Sequence, residues 1–349
     1  MDSIDDHGGW AALLTLLLDR NHLTAAQARA AMTTILAGDA TPAQLIGFVV
    51  ALRAKGESVE ELAGLLDAVL AHAALVPLSD EQRATAVDIV GTGGDHSHSI
   101  NVSTMAAIVT AAAGVPVCKH GSRGASSKCG TADVLEELGV AIELTPEGVK
   151  HCIDTAGMGF CFAPAFHPAF RFAAPSRREI GIPTVFNLLG PMANPGRVRR
   201  QVIGVANAAF AERMVETLRT HGSVHAWVVH GGGLDELTTT GVSQVIELRD
   251  GEIDHFTVDP AELGLPAARN ADLSGGDPAE NAEVVRRVFG GEFGPHRDIV
   301  VLNAGAGLVV GGKAVSLAAG VALASDAIDR GAAAETLRKL VAASQEAAA

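Results

Sequence analysis

Apolar residues recur at helical spacing throughout residues 10–75. Three predicted helices in this stretch are preceded by residues that can cap them: Thr24, Thr41 ahead of a proline, and Ser58, which Glu61 follows three residues later. Such side chains satisfy the first free N–H groups of a helix, and Ser-x-x-Glu is a capping-box pattern. The pattern predicts a helical bundle without strands, and it leaves open whether the bundle also offers a dimer face.

From residue 85 onward, short apolar runs end at glycines or prolines and alternate with helical segments. This alternation is typical of buried strands in a parallel sheet. We expect strands at 87–90, 115–118, 140–144, 158–164, 200–205, 224–230 and 300–302, and a hairpin over 242–256 that turns at Asp250-Gly251. The predicted fold class is α/β: a small all-helical domain and a large domain with a mainly parallel central sheet and flanking helices.

Two loops after predicted strands are rich in glycine and hydroxyl side chains. The first is 91–94, and residues 101–103 behind it can cap the next helix. The second follows Lys119 and contains Arg123 and Lys128. Such loops bind phosphorylated ligands at the carboxyl edge of parallel sheets, where helix amino termini face the anion. A single glycine turn is weak evidence, but two such loops with cations favour phosphate binding.

Two adjacent carboxylates, Asp235 and Glu236, follow the strand predicted at 224–230 and a glycine run. Carboxylate oxygens are the ligands that hard cations such as Mg²⁺ prefer. Taken alone, the pair is more typical of an acidic loop tip. Beside two phosphate-type loops, we interpret it as a metal site.

Composition narrows the class of protein. The chain has 349 residues, 48% of them apolar and 19% charged, which indicates a globular protein with two domains. No apolar run is long enough to span a membrane, and the acidic amino terminus argues against a targeting signal, so we expect a cytoplasmic protein. The formal net charge of −14 argues against nucleic acid as a partner. The four cysteines show no C-x-x-C spacing and are expected to be reduced, buried thiols.

Four stretches resemble the anthranilate phosphoribosyltransferase family: GTGGD at 91–95, NVST at 101–104, KHG at 119–121 and SSKCGTADVLEELG at 126–139. Further matches extend the resemblance over nearly the whole chain. It implies transfer of the 5-phosphoribosyl group of phosphoribosyl pyrophosphate to the amino group of anthranilate, the second step of tryptophan synthesis from chorismate. It also implies Mg²⁺, with two ions per active site, and a homodimer formed through the helical domain.

The same resemblance implies the domain limits and the roles of individual residues. The helical domain would span 1–84, with a crossover at 165–190 returning to it, and the large domain would comprise 85–164 and 191–349. The donor would be bound by Gly91, Thr92, Gly93, Gly94, Asp95, Ser99, Asn101, Ser103, Thr104, Lys119 and Ser127. Magnesium would be held by Ser103, Asp235 and Glu236. The acceptor would contact Gly91, His120, Ser122, His167 and Arg177. Lys119 and Arg177 are the candidate catalytic residues, the first as a fixed charge for the diphosphate and the second as a bidentate partner for a carboxylate.

The chain departs from the family at Ser122, where asparagine is usual, so an aromatic acceptor other than anthranilate is one alternative. A pyrimidine nucleoside phosphorylase, which shares the fold and a related second loop, is another, although GTGGD with NVST argues against it. Non-catalytic relatives that bind nucleic acid form a third class. They would be expected to have a basic surface, whereas this chain is acidic and keeps the Asp235-Glu236 pair.

Overall fold

The structure is a computed structural model that describes residues 3–95, 97–124 and 128–349. Its amino-terminal part is helical, as predicted, and consists of α1 (Gly9–Leu18), α2 (Ala25–Ala37), α3 (Pro42–Lys55) and α4 (Val59–Ala71). Thr24, Thr41 and Ser58 cap α2, α3 and α4 through capping boxes. In each box the cap oxygen accepts a backbone N–H from the first helical turn, and a side chain of that turn accepts the N–H of the cap residue.

The larger part of the molecule is built on one mainly parallel sheet, as predicted. Its strands are β1 (Val87–Gly91), β2 (Val117–Gly121), β3 (Met158–Phe162), β4 (Arg200–Gly204), β5 (His225–His230), β6 (Ser243–Arg249) and β7 (Glu252–Val258). Among the described residues these seven strands lie in the order β3-β2-β1-β4-β5-β6-β7. The pairs from β3 to β5 are parallel, and β5, β6 and β7 are antiparallel. The predicted hairpin is confirmed, since Asp250 and Gly251 between β6 and β7 have φ of 52° and 90°.

Helices cover both faces of the sheet. They are α5 (Asp80–Thr85), α6 (Val102–Ala112), α7 (Thr131–Glu137), α8 (Pro146–Ala156), α9 (Ala163–Phe166), α10 (Ala174–Ile180), α11 (Val185–Met192), α12 (Ala211–Thr220), α13 (Pro278–Phe289), α14 (Pro295–Val310), α15 (Leu317–Asp329) and α16 (Ala332–Ala348). Successive strand residues enter opposite cores, because side chains alternate along a strand. Ile89 packs with α6 and α14, whereas Val90 packs with α1–α4, α11 and α12. The loops that follow the parallel strands therefore meet at one edge, between the two cores.

The segment between β3 and β4 returns to the amino-terminal helices. The 3₁₀ turn Pro168–Phe172 contacts α2, α10 contacts α3, and α11 contacts both α3 and α4. These are contacts that the predicted crossover requires. The division of the chain into two domains at the expected limits stays a prediction.

Two predicted strands are wrong, and a third is displaced. Residues 140–144 pair with no strand among the described residues, and the N–H of Ala141 instead donates to Ser344 Oγ of α16. Residues 300–302 lie inside α14 and are buried, because a fully buried helix has the same short apolar run as a buried strand. The strand expected at 115–118 is β2, which starts at Val117 and ends at Gly121. Lys119 and His120 therefore belong to the strand itself.

The cysteines and the apolar runs agree with the sequence-based expectations. Cys118, Cys129, Cys152 and Cys161 are buried and take part in no disulfide, and all four lie in the described part of the chain. No helix within the described ranges is long and apolar enough to cross a membrane.

Candidate active site

Glycines at the ends of two neighbouring strands make room for an acidic loop. A Cβ on Gly91 at the end of β1 would lie 2.2 Å from Asp235 Oδ2, and a Cβ on Gly204 at the end of β4 would lie 1.6 Å from the Asp235 carbonyl oxygen. A side chain at either position would overlap Asp235 and displace the loop that carries it. Gly93 and Gly94 have φ of 68° and 78°, and their Cα atoms face open space. This backbone conformation favours glycine and leaves the loop open to a ligand.

The acidic pair Asp235 and Glu236 joins the first loop to the start of α6. Asp235 Oδ2 accepts a hydrogen bond from Gly93 N at 2.7 Å, and Glu236 Oε1 accepts one from Ser103 N at 3.2 Å. Burial raises the pKa of Asp235 to about 7, with a further rise from the charge of Asp95. Burial and the neighbouring Asp235 raise the pKa of Glu236 well above its usual value. The two carboxylates are thus held side by side in a setting that favours binding of a cation.

These carboxylates suit magnesium. In residues 3–95, 97–124 and 128–349, no group of three or more His, Cys, Asp or Glu side chains is arranged to hold a metal ion. Mg²⁺ is usually held by one or two carboxylates together with water and substrate phosphates, and less often by a complete protein cage. The pair Asp235 and Glu236 meets that description. The sequence predicted both residues correctly as neighbours of the first loop.

Lys119 is a buried cation at the centre of the site. It is 1% exposed, and its Nζ donates to the Ile89 carbonyl and, at 3.3 Å, to Ser103 Oγ. Burial lowers its pKa, and the charges of Asp88, Glu236 and Asp235 oppose that shift. The sequence placed Lys119 after the end of the strand, but Lys119 lies within β2 and is carried by it beneath both loops. Its position is therefore fixed before any ligand binds.

The polar pair Asp88 and Asn194 lies beneath the site and was missed by the sequence analysis. Asp88 in β1 accepts a hydrogen bond from His120 N at 3.1 Å and another from Asn194 Nδ2 at 2.8 Å. Asn194 Nδ2 also donates to the Cys118 carbonyl at 2.8 Å. Burial raises the pKa of Asp88 to about 6. An aspartate inside an apolar strand run is a signal that could have found it, since a buried carboxylate needs partners.

Three of the residues expected at the acceptor, His120, His167 and Arg177, lie along a row of aromatic contacts. The rings of His120 and His167 are 5.0 Å apart, and Phe170 stacks on His167 at 5.2 Å. Phe186 contacts Phe170 edge-on at 5.5 Å, and Arg177 Cζ lies 4.8 Å from the Phe186 ring centre. The row therefore connects His120 in the strand to Arg177 on the crossover. The sequence predicted His120, His167 and Arg177 as acceptor contacts but not Phe170 and Phe186.

Both histidines are neutral at physiological pH. Burial and the neighbouring His167 lower the pKa of His120 well below its usual value, and burial lowers that of His167 to about 4. His120 Nδ1 lies 3.1 Å from the Gly190 carbonyl, so that nitrogen carries the proton and donates. His120 Nε2 is then an acceptor, and it is buried without a hydrogen-bond partner among the described residues. A buried acceptor of this kind suits a ligand N–H.

Two other residues predicted to bind the phosphoribosyl donor, Asn101 and Thr104, make hydrogen bonds within the protein. Asn101 stands at the cap position of α6, but its side chain makes no capping bond. Its Nδ2 donates to the Cys129 carbonyl at 3.2 Å, and its Oδ1 accepts from Asn281 Nδ2 at 2.9 Å. Thr104 Oγ1 donates to Thr131 Oγ1 at 3.1 Å. These residues connect the two loops, and Asn281, 180 residues away along the chain, had no local sequence signal.

The remaining predicted residues lie at the rim of the site or beyond the described ranges. Ser99 Oγ accepts a hydrogen bond from Ser97 Oγ at 3.2 Å, and Ser122 is exposed directly after β2. Arg123 forms ion pairs with Asp133, at 2.9 Å, and with Glu136, so its charge is already balanced by α7. Ser127 lies outside the described residues.

Comparisons with known proteins match nearly the whole chain. The model of a glycosyl transferase family, a/b domain, matches residues 83–334, and the model of a glycosyl transferase family, helical bundle domain, matches residues 11–73. The anthranilate phosphoribosyltransferase of Mesorhizobium japonicum is 52% identical over 315 residues, which cover 90% of this chain and 93% of that protein. The crystal structure of the Thermus thermophilus enzyme of the same name has a TM-score of 0.89 at 41% identity and covers 95% of this chain and 99% of that one. The Saccharomyces cerevisiae enzyme, in complex with PRPP and Mg, has a TM-score of 0.87 at 27% identity and covers 97% of this chain and 98% of that one.

Proposed function

The chain belongs to the anthranilate phosphoribosyltransferase family, and from this premise we propose how its residues perform the reaction of that family. The enzyme transfers the 5-phosphoribosyl group of phosphoribosyl pyrophosphate to the amino group of anthranilate in tryptophan synthesis. The observation that carries the proposal is the convergence on Ser103, whose N–H donates to Glu236 and whose Oγ accepts from Lys119. A cation, a carboxylate and a helix amino terminus thereby meet beside the glycine loop, whose Gly93 N–H donates to the second carboxylate, Asp235.

The donor lies against the first loop and the start of α6. The backbone of 91–94 and the amino terminus of α6 lie against the diphosphate, with Asp95 and Ser99 at its rim. The N–H groups of Thr92 and Gly93 hold this loop in place, since they donate to the Gly204 carbonyl and to Asp235 Oδ2. Asn101 and Thr104 hold the two loops at a fixed separation through their bonds to Cys129 and Thr131. Lys119 supplies a positive charge that needs no reorganisation as pyrophosphate leaves. We assign Ser127 to the same phosphate pocket on the family pattern alone.

Magnesium would be held by Ser103, Asp235 and Glu236, and we propose two ions per site. The raised pKa values of both carboxylates support this assignment, because a bound cation would offset their repulsion. Bound Mg²⁺ would balance the charge of the diphosphate and so make pyrophosphate a better leaving group.

The acceptor lies along the aromatic row. Its carboxylate pairs with the fork of Arg177, and His120 lines the space between this pair and the donor. His167, Ser122 and Gly91 line the same space. The C1–O bond to pyrophosphate breaks and its electron pair leaves with the pyrophosphate, while the C1–N bond forms on the opposite side of the ribose. The proton that the amine releases passes to the departing pyrophosphate. Since an aromatic amine is neutral at physiological pH, the protein mainly has to orient it behind C1.

We further propose a homodimer formed through the helical domain and a cytoplasmic location, as expected for this biosynthetic role. Leu18 on α1 is 75% exposed and Val50 on α3 is 38% exposed, which supports an apolar contact on this domain. Sedimentation velocity of the full chain would test the dimer.

The proposed function is tested by mixing the protein with phosphoribosyl pyrophosphate, Mg²⁺ and anthranilate and following the fluorescence of anthranilate. A magnesium-dependent decay is expected. If there is no decay but calorimetry shows that the donor binds with magnesium, the acceptor is another aromatic compound. Phosphorolysis of a pyrimidine nucleoside in the absence of transfer would favour the phosphorylase alternative.

Replacing Arg177 with alanine is expected to raise the KM for anthranilate about 10- to 100-fold, because a charge-assisted hydrogen bond contributes about 1.5–3 kcal/mol. The KM for the donor should change by less than about twofold, since that site lies at the other end of the aromatic row. Steady-state kinetics with each substrate varied in turn measures both. Arg178→Ala is the matched control, because Arg178 is the exposed neighbour on the same helix. A larger effect on the donor than on anthranilate would contradict the placement of Arg177.

Restoring the usual family residue with Ser122→Asn is expected to lower the KM for anthranilate about two- to tenfold. An asparagine amide offers two donors and one acceptor where serine has a single hydroxyl. Ser122 is well placed for such a contact, since it directly follows β2 and its carbonyl accepts from Ala132 N at the start of α7. An unchanged KM for anthranilate would mean that this position does not touch the acceptor.

A further inference from the structure

One buried asparagine on a distant helix holds the end of the acidic loop. Asn303 of α14 is 0% exposed. Its Oδ1 accepts from Leu237 N at 3.0 Å, and its Nδ2 donates to the Leu237 carbonyl at 2.8 Å and to the Ile299 carbonyl at 2.9 Å. The oxygen and both N–H groups of the amide are therefore used. One side chain from 66 residues away thus pairs with both backbone groups of Leu237.

Leu237 directly follows Asp235 and Glu236, so this contact fixes one end of the segment that carries them. The other end is fixed by hydrogen bonds between the backbones of Gly231 and Leu234, both at 3.1 Å. Gly231 also packs closely on the segment, since a Cβ there would lie 2.2 Å from the Glu236 carbonyl oxygen. The two carboxylates therefore stand on a short stretch of backbone that is held on both sides.

This restraint opposes the electrostatic repulsion inside the site. Asp235, Glu236 and Asp95 repel one another, and burial strengthens the effect. A loop without anchors would relieve the repulsion by moving its carboxylates apart. Groups that do not touch a metal but orient its ligands commonly affect metal affinity by about 10- to 100-fold. The alternative interpretation, that Asn303 only stabilises α14, accounts for its bond to Ile299 but not for its two bonds to Leu237, which lies outside that helix.

We propose that Asn303 is a positioning residue for the magnesium site: it pins Leu237 and so keeps Asp235 and Glu236 close enough to share a cation–diphosphate ligand. The inference rests on the proposed roles of these two carboxylates. It assigns no contact between Asn303 and the substrates.

The test is Asn303→Leu, which keeps the approximate volume and removes the amide. Binding of Mn²⁺, used as a paramagnetic substitute for Mg²⁺, is measured by electron paramagnetic resonance in the presence of inorganic pyrophosphate. We expect about tenfold weaker Mn²⁺ binding than in the unsubstituted protein. Hydrogen exchange of peptides covering 231–240 should be faster in the variant without any ligand, because the Leu237 N–H has lost its acceptor. The KM for anthranilate should change by less than about twofold.

Two further variants separate positioning from loss of stability. Val310→Ala removes buried apolar volume from the same helix, about 10 Å further along its axis, and is expected to lower thermal stability without weakening Mn²⁺ binding. Asn303→Asp keeps an acceptor for the Leu237 N–H and is expected to fall between the unsubstituted protein and Asn303→Leu. It is also the variant measured if Asn303→Leu does not fold.

The results of these measurements distinguish failure of the positioning role from failure of the metal assignment. If both Asn303 variants bind Mn²⁺ with pyrophosphate as the unsubstituted protein does, or if Val310→Ala weakens binding equally, the positioning role is overturned while the proposed function stands. If the unsubstituted protein itself binds no Mn²⁺ in the presence of pyrophosphate, the metal assignment of Asp235 and Glu236 fails, and this inference fails with it.

Discussion

Replacing Glu236 with alanine is expected to lower kcat/KM for the donor about a thousandfold and to leave little magnesium-dependent transfer. Glu236 holds the cation in the proposed site and also accepts the Ser103 N–H, so its loss removes a ligand and releases the start of α6. Electrostatic groups aimed at the departing charge are commonly worth about 10²–10³ each in rate, and loss of the metal adds to that. The measurement is the anthranilate fluorescence assay over a range of Mg²⁺ concentrations.

Glu236→Gln separates charge from geometry, because the amide oxygen can still accept the Ser103 N–H. We expect its activity to be nearly as low as that of the alanine variant, since an amide is a poor ligand for Mg²⁺. Glu143→Ala, at an exposed glutamate of the same domain, is the control and should retain full activity. Near-normal turnover by Glu236→Gln would remove the metal role from this residue.

Thermal stability shows whether the loss of activity in the Glu236 variants comes from the lost metal ligand or from unfolding. Burial raises the pKa of Glu236 well above its usual value, so the folded protein disfavours the ionised form. For an acid with a raised pKa, ionisation lowers stability as the pH rises above its usual value. Neutral Glu236→Gln is therefore expected to melt at the same temperature or higher at pH 8. Such a trade between stability and activity is typical of functional sites.

The parts of the site that the sequence predicted are those with a local signal. Gly91, Gly93 and Gly94 stand where close approach or positive φ excludes a side chain, and Asp235 and Glu236 follow a buried strand. Turn chemistry of this kind is encoded within a few residues. The sequence alone therefore predicts that the two glycine loops and the acidic loop lie at one edge of the sheet.

The parts that could not be predicted depend on partners far apart in the chain. Nothing near Asn281 or Asn303 indicates that their amides hold Asn101 and Leu237. The run 300–302 gave the wrong element for a related reason, since α14 is buried on all sides and its sequence shows no amphipathic period. The protonation state of Lys119 also depends on distant parts of the chain. Burial lowers its pKa, and carboxylates on another strand and on the acidic loop oppose that shift.

Lys119→Met is expected to lower kcat/KM for the donor about a thousandfold and to destabilise the protein. Methionine has nearly the same length but no charge and no donor, so the Ile89 carbonyl and Ser103 Oγ each lose a partner. Removing one member of a buried charged group commonly costs about 3–5 kcal/mol, because the opposite charges stay behind without compensation. Michaelis kinetics and thermal unfolding measure the two effects, and Lys339→Met, at a half-exposed lysine on α16, is the control.

The pH dependence of stability tests whether loss of the Lys119 charge is what destabilises Lys119→Met. Lys119 lowers the pKa values of Asp88 and Glu236, so both pKa values should rise in Lys119→Met. The folded variant then binds more protons than the unfolded chain up to a higher pH, and its stability falls as the pH rises through that range. The deficit in melting temperature against the unsubstituted protein should therefore be larger at pH 8 than at pH 5.5. An equal deficit at both values would mean that Lys119 stabilises the site through packing, and that its charge is not what holds the buried carboxylates together.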